Sequence, residues 1–402
     1  MKKPTILILG ASFAGLNAAF DLKRDLGDRA DVLVLSRNDQ FVFIPSLIWM
    51  VPGWRRPEDL TFDLREALEP RGIRFLEARA DRIEPEENRV IANVGDFSYD
   101  YLLIATGPKF DWAAVPGLGP HGGYTHSICS LPHAHEAYEA WQEFLKDPGP
   151  VVLGATQYAS CFGAEYEMVF NIDRALREAK VRKQAPVTFL TSEPYLGHFG
   201  IDGMAGGQKM LELFYRYLDI KPVVNAVIEK VTPGEIHLKD GDVIPFKYAI
   251  VIPPFTGVDA ILNSPGLGDQ RGLIPTNDRY QHVSYSNIYA AGVAVAIKPP
   301  FTTPVPTGVP KTGYMSEVMA KVAAHNIAAA ITGGEPKELP FGKINALCIM
   351  DAGKQGVILI SDHVFRPRRF ELLIPGPWSH WAKLAFEKYY MWKMQTGRSN
   401  LP

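Results

Sequence analysis

Two kinds of residue in this chain have chemistry to offer: three cysteines, and a set of glycines placed at the ends of apolar runs. Cys129, Cys161 and Cys348 are few, odd in number and far apart. That excludes the disulfide framework of a small secreted domain, and a free cysteine is in most proteins a small buried hydrophobe. No Cys/His spacing matches a metal site and no C-x-x-C-H haem signature occurs. The glycines say more. In TILILGASFAGLNAA (residues 5–19), Gly10, Ser12 and Gly15 form G-x-S-x-x-G, with Phe13 and Ala14 between the last two. A turn of this kind presents a helix N-terminus to an anion, which is how a dinucleotide pyrophosphate is held.

The elements that must position this turn are a buried strand before it and a second buried strand, Asp31 to Ser36, after its helix. Together they make a βαβ unit, whose parallel strands favour continuous apolar runs. Ser12 stands where a middle glycine is usual. Ser36 and Arg37 end the second strand where an acidic ribose partner is usual, a departure that weakens NAD more than FAD.

The same order of elements returns later. Residues 150–154 repeat the strand and turn, and residues 187–191 repeat the second strand. Residues 73–108 and 220–255 then carry matching codas: an alternating strand, an acidic turn, a hairpin and a buried strand. One dinucleotide-binding design is used twice. In the second copy Thr156, Gln157 and Tyr158 stand where small residues would admit a pyrophosphate, and Cys161 follows them. The second nicotinamide site is expected to be lost.

Further glycine ends complete a flavin-type site. Ala105-Thr106-Gly107 closes the first coda, and Gly292 ends a short strand at residues 287–292. Val293 follows Gly292 where many flavoproteins have Asp. Lys311-Thr312-Gly313 opens a helix to about residue 331. Its N-terminus and Lys311 either stabilise an anionic reduced flavin at the pyrimidine edge or form an ordinary helix start.

The chain is 402 residues, 47% hydrophobic and 21% charged, with a formal net charge of -2. Two or three subdomains are expected, and no broad basic face supports a nucleic-acid partner. No apolar run is long enough for a transmembrane helix. The first strand opens at Pro4–Thr5, so no signal peptide is expected.

The segments SRNDQFVFIPS (36–46), Ser127-Ile-Cys129, ASCFGAEYE (159–167), TSEPYLGHFGI (191–201), TTPVPTGVPKTGYM (302–315), NALC (345–348) and AFEKYY (385–390) are long and unusual. They resemble the sulfide:quinone oxidoreductases, within the flavoproteins that have two dinucleotide-binding domains. The resemblance runs from the first strand to about Gly397. It implies FAD as cofactor, with sulfide and ubiquinone or another membrane quinone as partners. It also implies that Cys161 and Cys348 face the flavin and cycle through a disulfide or sulfur-bridged state. Cys129 would be linked to the flavin or help sulfur leave.

The chemistry implied is that hydrosulfide attacks the bridge and leaves a persulfide on Cys161. Cys348, freed as a thiolate, adds to the flavin, and two electrons follow. A carboxylate must accept protons; Glu167 holds the family position, and Glu165, four residues after Cys161, is the runner-up. His198 and His133 match family histidines, with structural roles as the alternative. The aromatic, lysine-bearing tail 378–393 reads as an interfacial helix. Its Lys383, Lys388 and Lys393 are read as headgroup cations, with a helix capping the core as the alternative. Lys388 and Tyr390 would lie near the quinone ring. Many relatives continue past this point, so a weaker membrane hold, dependence on oligomerisation, or a missing aromatic partner for the quinone is expected from the stop at Pro402.

The expected architecture is α/β: two Rossmann-like FAD/NAD(P)-binding domains plus a C-terminal amphipathic membrane-interface segment. The FAD domain joins residues 1–110 to 280–335, the second domain spans 111–279, and the quinone and membrane region spans 336–402. The expected place is peripheral, monotopic on the cell membrane, as a possible homo-oligomer. The rivals are a type II NADH:quinone oxidoreductase, an exported flavin subunit of a sulfide dehydrogenase, and a non-catalytic flavin-binding redox sensor.

Overall fold

Strands that are apolar on both faces need cover on both, and the chain supplies it by alternating them with helices. The computed structural model describes residues 3–401. In chain order the site-building elements begin with β1 (Thr5–Leu9), α1 (Phe13–Leu26), β2 (Asp31–Ser36), β3 (Arg74–Glu77) and β4 (Tyr101–Ile104). They continue with β5 (Val151–Ala155), α2 (Phe162–Glu178), β6 (Val187–Leu190), β7 (Ile220–Val223) and β8 (Tyr248–Ile252). Then follow β9 (Ile288–Ala290), α3 (Gly313–Thr332), β10 (Ala346–Asp351), β11 (Gly356–Ser361), β12 (Glu371–Pro375) and α4 (Trp378–Gln395).

One parallel sheet has the order β9-β4-β1-β2-β3, and a second has the order β8-β5-β6-β7. In each, a three-stranded antiparallel meander lies in the sequence between the outer strand and the strand that returns beside the first. The two sheets are therefore the same design, and the first takes its extra edge strand, β9, from beyond the second. Ile6, Leu7 and Ile8 of β1 are wholly buried, each such side chain stabilising the fold by about 1.5–3 kcal/mol.

The C-terminal region is more built than an amphipathic segment. β10, β11 and β12 form an antiparallel sheet, and α4 docks on it. Among the described residues no helix is long and apolar enough to cross a membrane.

Candidate active site

The first glycine turn needs glycine both for its backbone conformation and for close contact. Gly10 has φ +98°, and a Cβ there would stand 2.3 Å from the Ala105 carbonyl oxygen; a Cβ on Gly15 would stand 1.8 Å from the Gly10 carbonyl oxygen. Strand end, turn and helix thus close on one another as a dinucleotide cradle requires. Ser12 caps α1 without a side-chain hydrogen bond, and the first turn carries no acidic residue. The early backbone N–H groups of α1 are left for an anion. Gly107 and Gly292 lie at the ends of β4 and β9 with positive φ, and Thr312 caps α3 by accepting from the Met315 N–H. These residues fit FAD. Ser36 ends β2, with Arg37 exposed beyond it. The Lys311 Nζ donates to the carbonyls of Val293 (3.0 Å) and Val295 (2.7 Å). Burial brings its ammonium down to about 7.

The corresponding turn after β5 is filled by protein. Gln157 donates to the Ile228 carbonyl and accepts from the Ile228 N–H, both at 3.1 Å. The 305–309 segment lies across the turn, with Tyr158 N–H donating to Pro306 (2.7 Å) and Gly308 N–H donating to Ala159 (2.8 Å). A Cβ on Gly308 would meet Ser160 Cβ at 2.7 Å. Groups that would receive a pyrophosphate are already engaged.

Cys161 is the residue just before α2, where a helix N-terminus begins. Cys129 packs with it in a small apolar cluster that includes Ala155, Ala159 and Ile252. Cys348 lies on β10. It comes close to the first turn of α2: a Cβ on Gly163 would stand in ordinary contact, 3.5 Å, with Cys348 Sγ. All three thiols are free. Burial pushes Cys161 and Cys348 up to about 12 and Cys129 up to about 11.

Glu167 lies beside Cys348, and its burial raises it to about 7 against the opposing pull of Lys383. Lys383 Nζ donates to both Glu167 oxygens at 2.8 Å. Behind this pair, Asp351 accepts from Trp49 Nε1 (3.2 Å) and bonds His380 Nδ1 (2.9 Å). Glu165 is wholly buried and faces Glu193 instead. His198 is buried, accepts from the Gly200 N–H through Nδ1 and packs edge-on to Phe301. His133 bonds His121 through Nε2 at 3.1 Å and packs against Phe110 and Trp112. Burial lowers both histidines, which favours the neutral ring.

The tail corrects one expectation outright. Lys383 and Lys393 are buried, bonded to Glu167 and Glu317 respectively, and are not headgroup cations. Lys388 alone of the three is exposed. Tyr390 is buried among Phe13, Phe41, Phe43 and Phe386, and its hydroxyl accepts from Asn17 Nδ2 at 3.0 Å. Two residues apart on a helix turn through about 200°, so Lys388 and Tyr390 do not share a face. The lysine spacing carried the signal: steps of five residues rotate by about 140°, which puts Lys383 and Lys393 near one side and Lys388 away from it. Sequence reasoning did not anticipate the pairing of Lys383 with Glu167, the Asp351–His380 bond or the burial of Glu193, although these residues lie in segments it had singled out or bordered.

Residues 4–320 match the family model described as pyridine nucleotide-disulphide oxidoreductase. A sulfide-quinone reductase of Aquifex aeolicus (strain VF5) is 35% identical, over 98% of this chain and 91% of its own length. The X-ray structure of the sulfide:quinone oxidoreductase from Aquifex aeolicus is similar with a TM-score of 0.93 at 34% identity, covering 98% of this chain and 92% of that one. A mitochondrial sulfide:quinone oxidoreductase of Mus musculus is 25% identical over 71% of this chain and 64% of its own. With identity at that level spread over nearly the whole chain, this protein belongs to the sulfide-quinone reductases, within the pyridine nucleotide-disulphide oxidoreductase family.

Proposed function

We propose that the chain oxidises sulfide through Cys161 and Cys348 and delivers the electrons, through FAD, to a membrane quinone. The observation that carries this is the approach of Cys348 to the N-terminal turn of α2, with Glu167 and Lys383 buried beside it. FAD, held by the turn from Gly10 to Gly15, by Gly107 and Gly292 and by the start of α3, supplies a two-electron acceptor. Hydrosulfide attacks the oxidised bridge at Cys161, the bridge bond breaks, and Cys348 leaves as a thiolate. Glu167 is the base beside Cys348. Its value of about 7 lets it take a proton and release it near neutrality. Its packing with Cys161 supports a role for Cys129 in accepting sulfur or assisting its departure. His198 and His133 act from outside this cluster, as neutral proton carriers or supports.

The domains are assigned as an FAD unit of 1–110 with 280–335, a second unit of 111–279, and a C-terminal region of 336–402. Membrane contact is assigned to the face where Trp378 (57% exposed), Trp381 (68%), Phe370 and Leu372 project outward. Exposed aromatic side chains of this kind anchor monotopic proteins at the headgroup level. Tyr390 contributes to the quinone pocket through its aromatic cluster with Phe386, while exposed Lys388 serves the membrane side.

The test is an anaerobic sulfide titration of the FAD-loaded protein, followed by a short-chain quinone and repeated with NADH. Sulfide should bleach the flavin absorbance and quinone should restore it. Bleaching by NADH but not by sulfide would replace this reading with the NADH:quinone one, which the filled turn after β5 disfavours.

A further inference from the structure

α2 carries two buried glutamates that face different ways. Side chains two apart on a helix point about 200° apart. Glu167 therefore turns to Lys383 and Cys348, and Glu165 turns to the sheet of β5 and β6. The surroundings of the two differ as much as their directions. Glu167 has a lysine. Glu165 is wholly buried, and neither of its carboxyl oxygens has a hydrogen-bond partner of normal geometry. The groups around it are Glu193, which raises it, and Thr191 and the Ala155 backbone, which oppose that rise more weakly. Tyr215 and Cys161 feel its charge in turn, and Cys129 packs with Cys161. Among the described residues no Lys, Arg or His contributes to the state of Glu165 or Glu193.

Glu193 is wholly buried too, but it is held firmly. It accepts from Tyr166 Oη at 2.7 Å, from Thr191 Oγ1 at 3.0 Å and from the Phe199 N–H. Those donors favour a carboxylate at Glu193. A second carboxylate beside it, without a cation or a donor of good geometry, is disfavoured by both burial and repulsion. Glu165 is the member left to carry a proton. The Cys161 carbonyl also accepts the Glu165 N–H at 3.3 Å, one helical turn away.

We propose that Glu165 and Glu193 form a shared-proton carboxyl pair that serves Cys161, as Glu167 serves Cys348. This rests on the sulfide reading above and assigns that site's protons. When hydrosulfide attacks Cys161, the carbon-bound sulfur gains an SH group, becoming a persulfide, and Cys348 departs with the electron pair of the broken bridge. The S–H proton passes to the pair, which goes from one proton to two, leaving a Cys161 persulfide anion. The pair returns the proton when the next sulfur is added or released. No outside oxidant enters the step.

The test uses the FAD-loaded full chain and two readouts that need no sulfide turnover. Infrared difference spectra across a pH series should show, at pH about 9 where Glu167 is ionised, a protonated carboxylic acid that is lost in Glu165→Gln. In Glu193→Gln the same band should titrate away at lower pH, since the repelling carboxylate is gone. In a Cys129→Ser, Cys348→Ser background, the pH profile of Cys161 alkylation by iodoacetamide should move down in Glu165→Gln. A shift of one unit corresponds to about tenfold faster alkylation on the rising limb. Glu167→Gln should move that profile less. An acid band that survives Glu165→Gln, or a Cys161 profile that moves with Glu167→Gln and not with Glu165→Gln, overturns the proposal. Should Glu165→Gln fail to fold, Glu193→Gln decides by the band alone. Failure of the sulfide reading would show separately, as flavin that sulfide does not bleach.

Discussion

Replacing Lys383 with Met should move the acid limb of sulfide-dependent flavin reduction to higher pH while leaving the fold in place. The lysine is buried, donates to both oxygens of Glu167 at 2.8 Å and lies over the Trp49 ring. Burial drives Glu167 up and Lys383 pulls it back, with about 7 as the result. Removing an opposite charge at this range raises a carboxyl by about 1–3 units. At pH 7 the ionised fraction of Glu167 then falls from about one half to between about a tenth and a thousandth, so the step that uses it as base slows by about 5- to 500-fold. Raising the pH should restore the rate. The sign for stability follows from the same shift. A carboxyl raised from 4.5 to about 7 favours the folded state fully below pH 4.5, and that contribution, about 3 kcal/mol, disappears as pH rises through 7. In Lys383→Met the loss should occur at higher pH, because Glu167 takes up a proton instead of remaining as a stranded charge. Anaerobic stopped-flow bleaching across a pH series, with thermal melts at matching pH, reads both. An unmoved acid limb in a folded, FAD-loaded variant would refute Glu167 as the base held by Lys383.

Cys161→Ser and Cys348→Ser should each abolish bleaching by sulfide while the flavin content stays at the wild-type level, measured by absorbance against protein. Gly15→Ala should yield protein with little FAD, because a Cβ would stand 1.8 Å from the Gly10 carbonyl oxygen and backbone cannot yield that far; flavin-to-protein ratio after purification reads it. Trp378→Ser and Trp381→Ser should each weaken partition to anionic lipid vesicles by about tenfold, from loss of roughly 1.5 kcal/mol or more of apolar burial, with bleaching by sulfide in detergent unchanged.

What the sequence made visible, and what it hid, divides by the distance over which residues meet. The β1 run, the turn from Gly10 to Gly15 and the repeated codas are local patterns whose period and punctuation state their structure. The obstruction after β5 was also local in part: Thr156, Gln157 and Tyr158 are too large for an open cradle. The segment that completes it, 305–309, comes from far along the chain. Lys383 was hidden for the same reason. On an aromatic helix it reads as a surface cation, and only its partner, 216 residues away, makes it part of the site. His133 could not be separated from a structural histidine because its partner His121 carries no signature of its own. Glu193 stood inside a segment already marked as unusual, yet nothing in TSEPYLGHFGI says that its neighbour is a second buried carboxyl.

The burial of both cysteines poses a physical question that the carboxyls answer. At about 12, Cys161 and Cys348 are almost entirely protonated at neutral pH, and a thiol is a poor nucleophile. A carboxylate at about 7 would take the Cys348 proton uphill by five units, about 7 kcal/mol. That is less than half of the ~16 kcal/mol barrier that corresponds to about 10 turnovers per second. The thiolate can therefore exist as a passing species without being the resting one. An exposed cysteine at its ordinary value would supply more thiolate, but would also offer it to every oxidant in solution. A low-dielectric site with its own proton acceptors confines the reactive form to the moment when sulfur and electrons move. On the proposed assignment, the carboxyls, and the lysine that tunes one of them, set the pH range of the reaction more than the cysteines do.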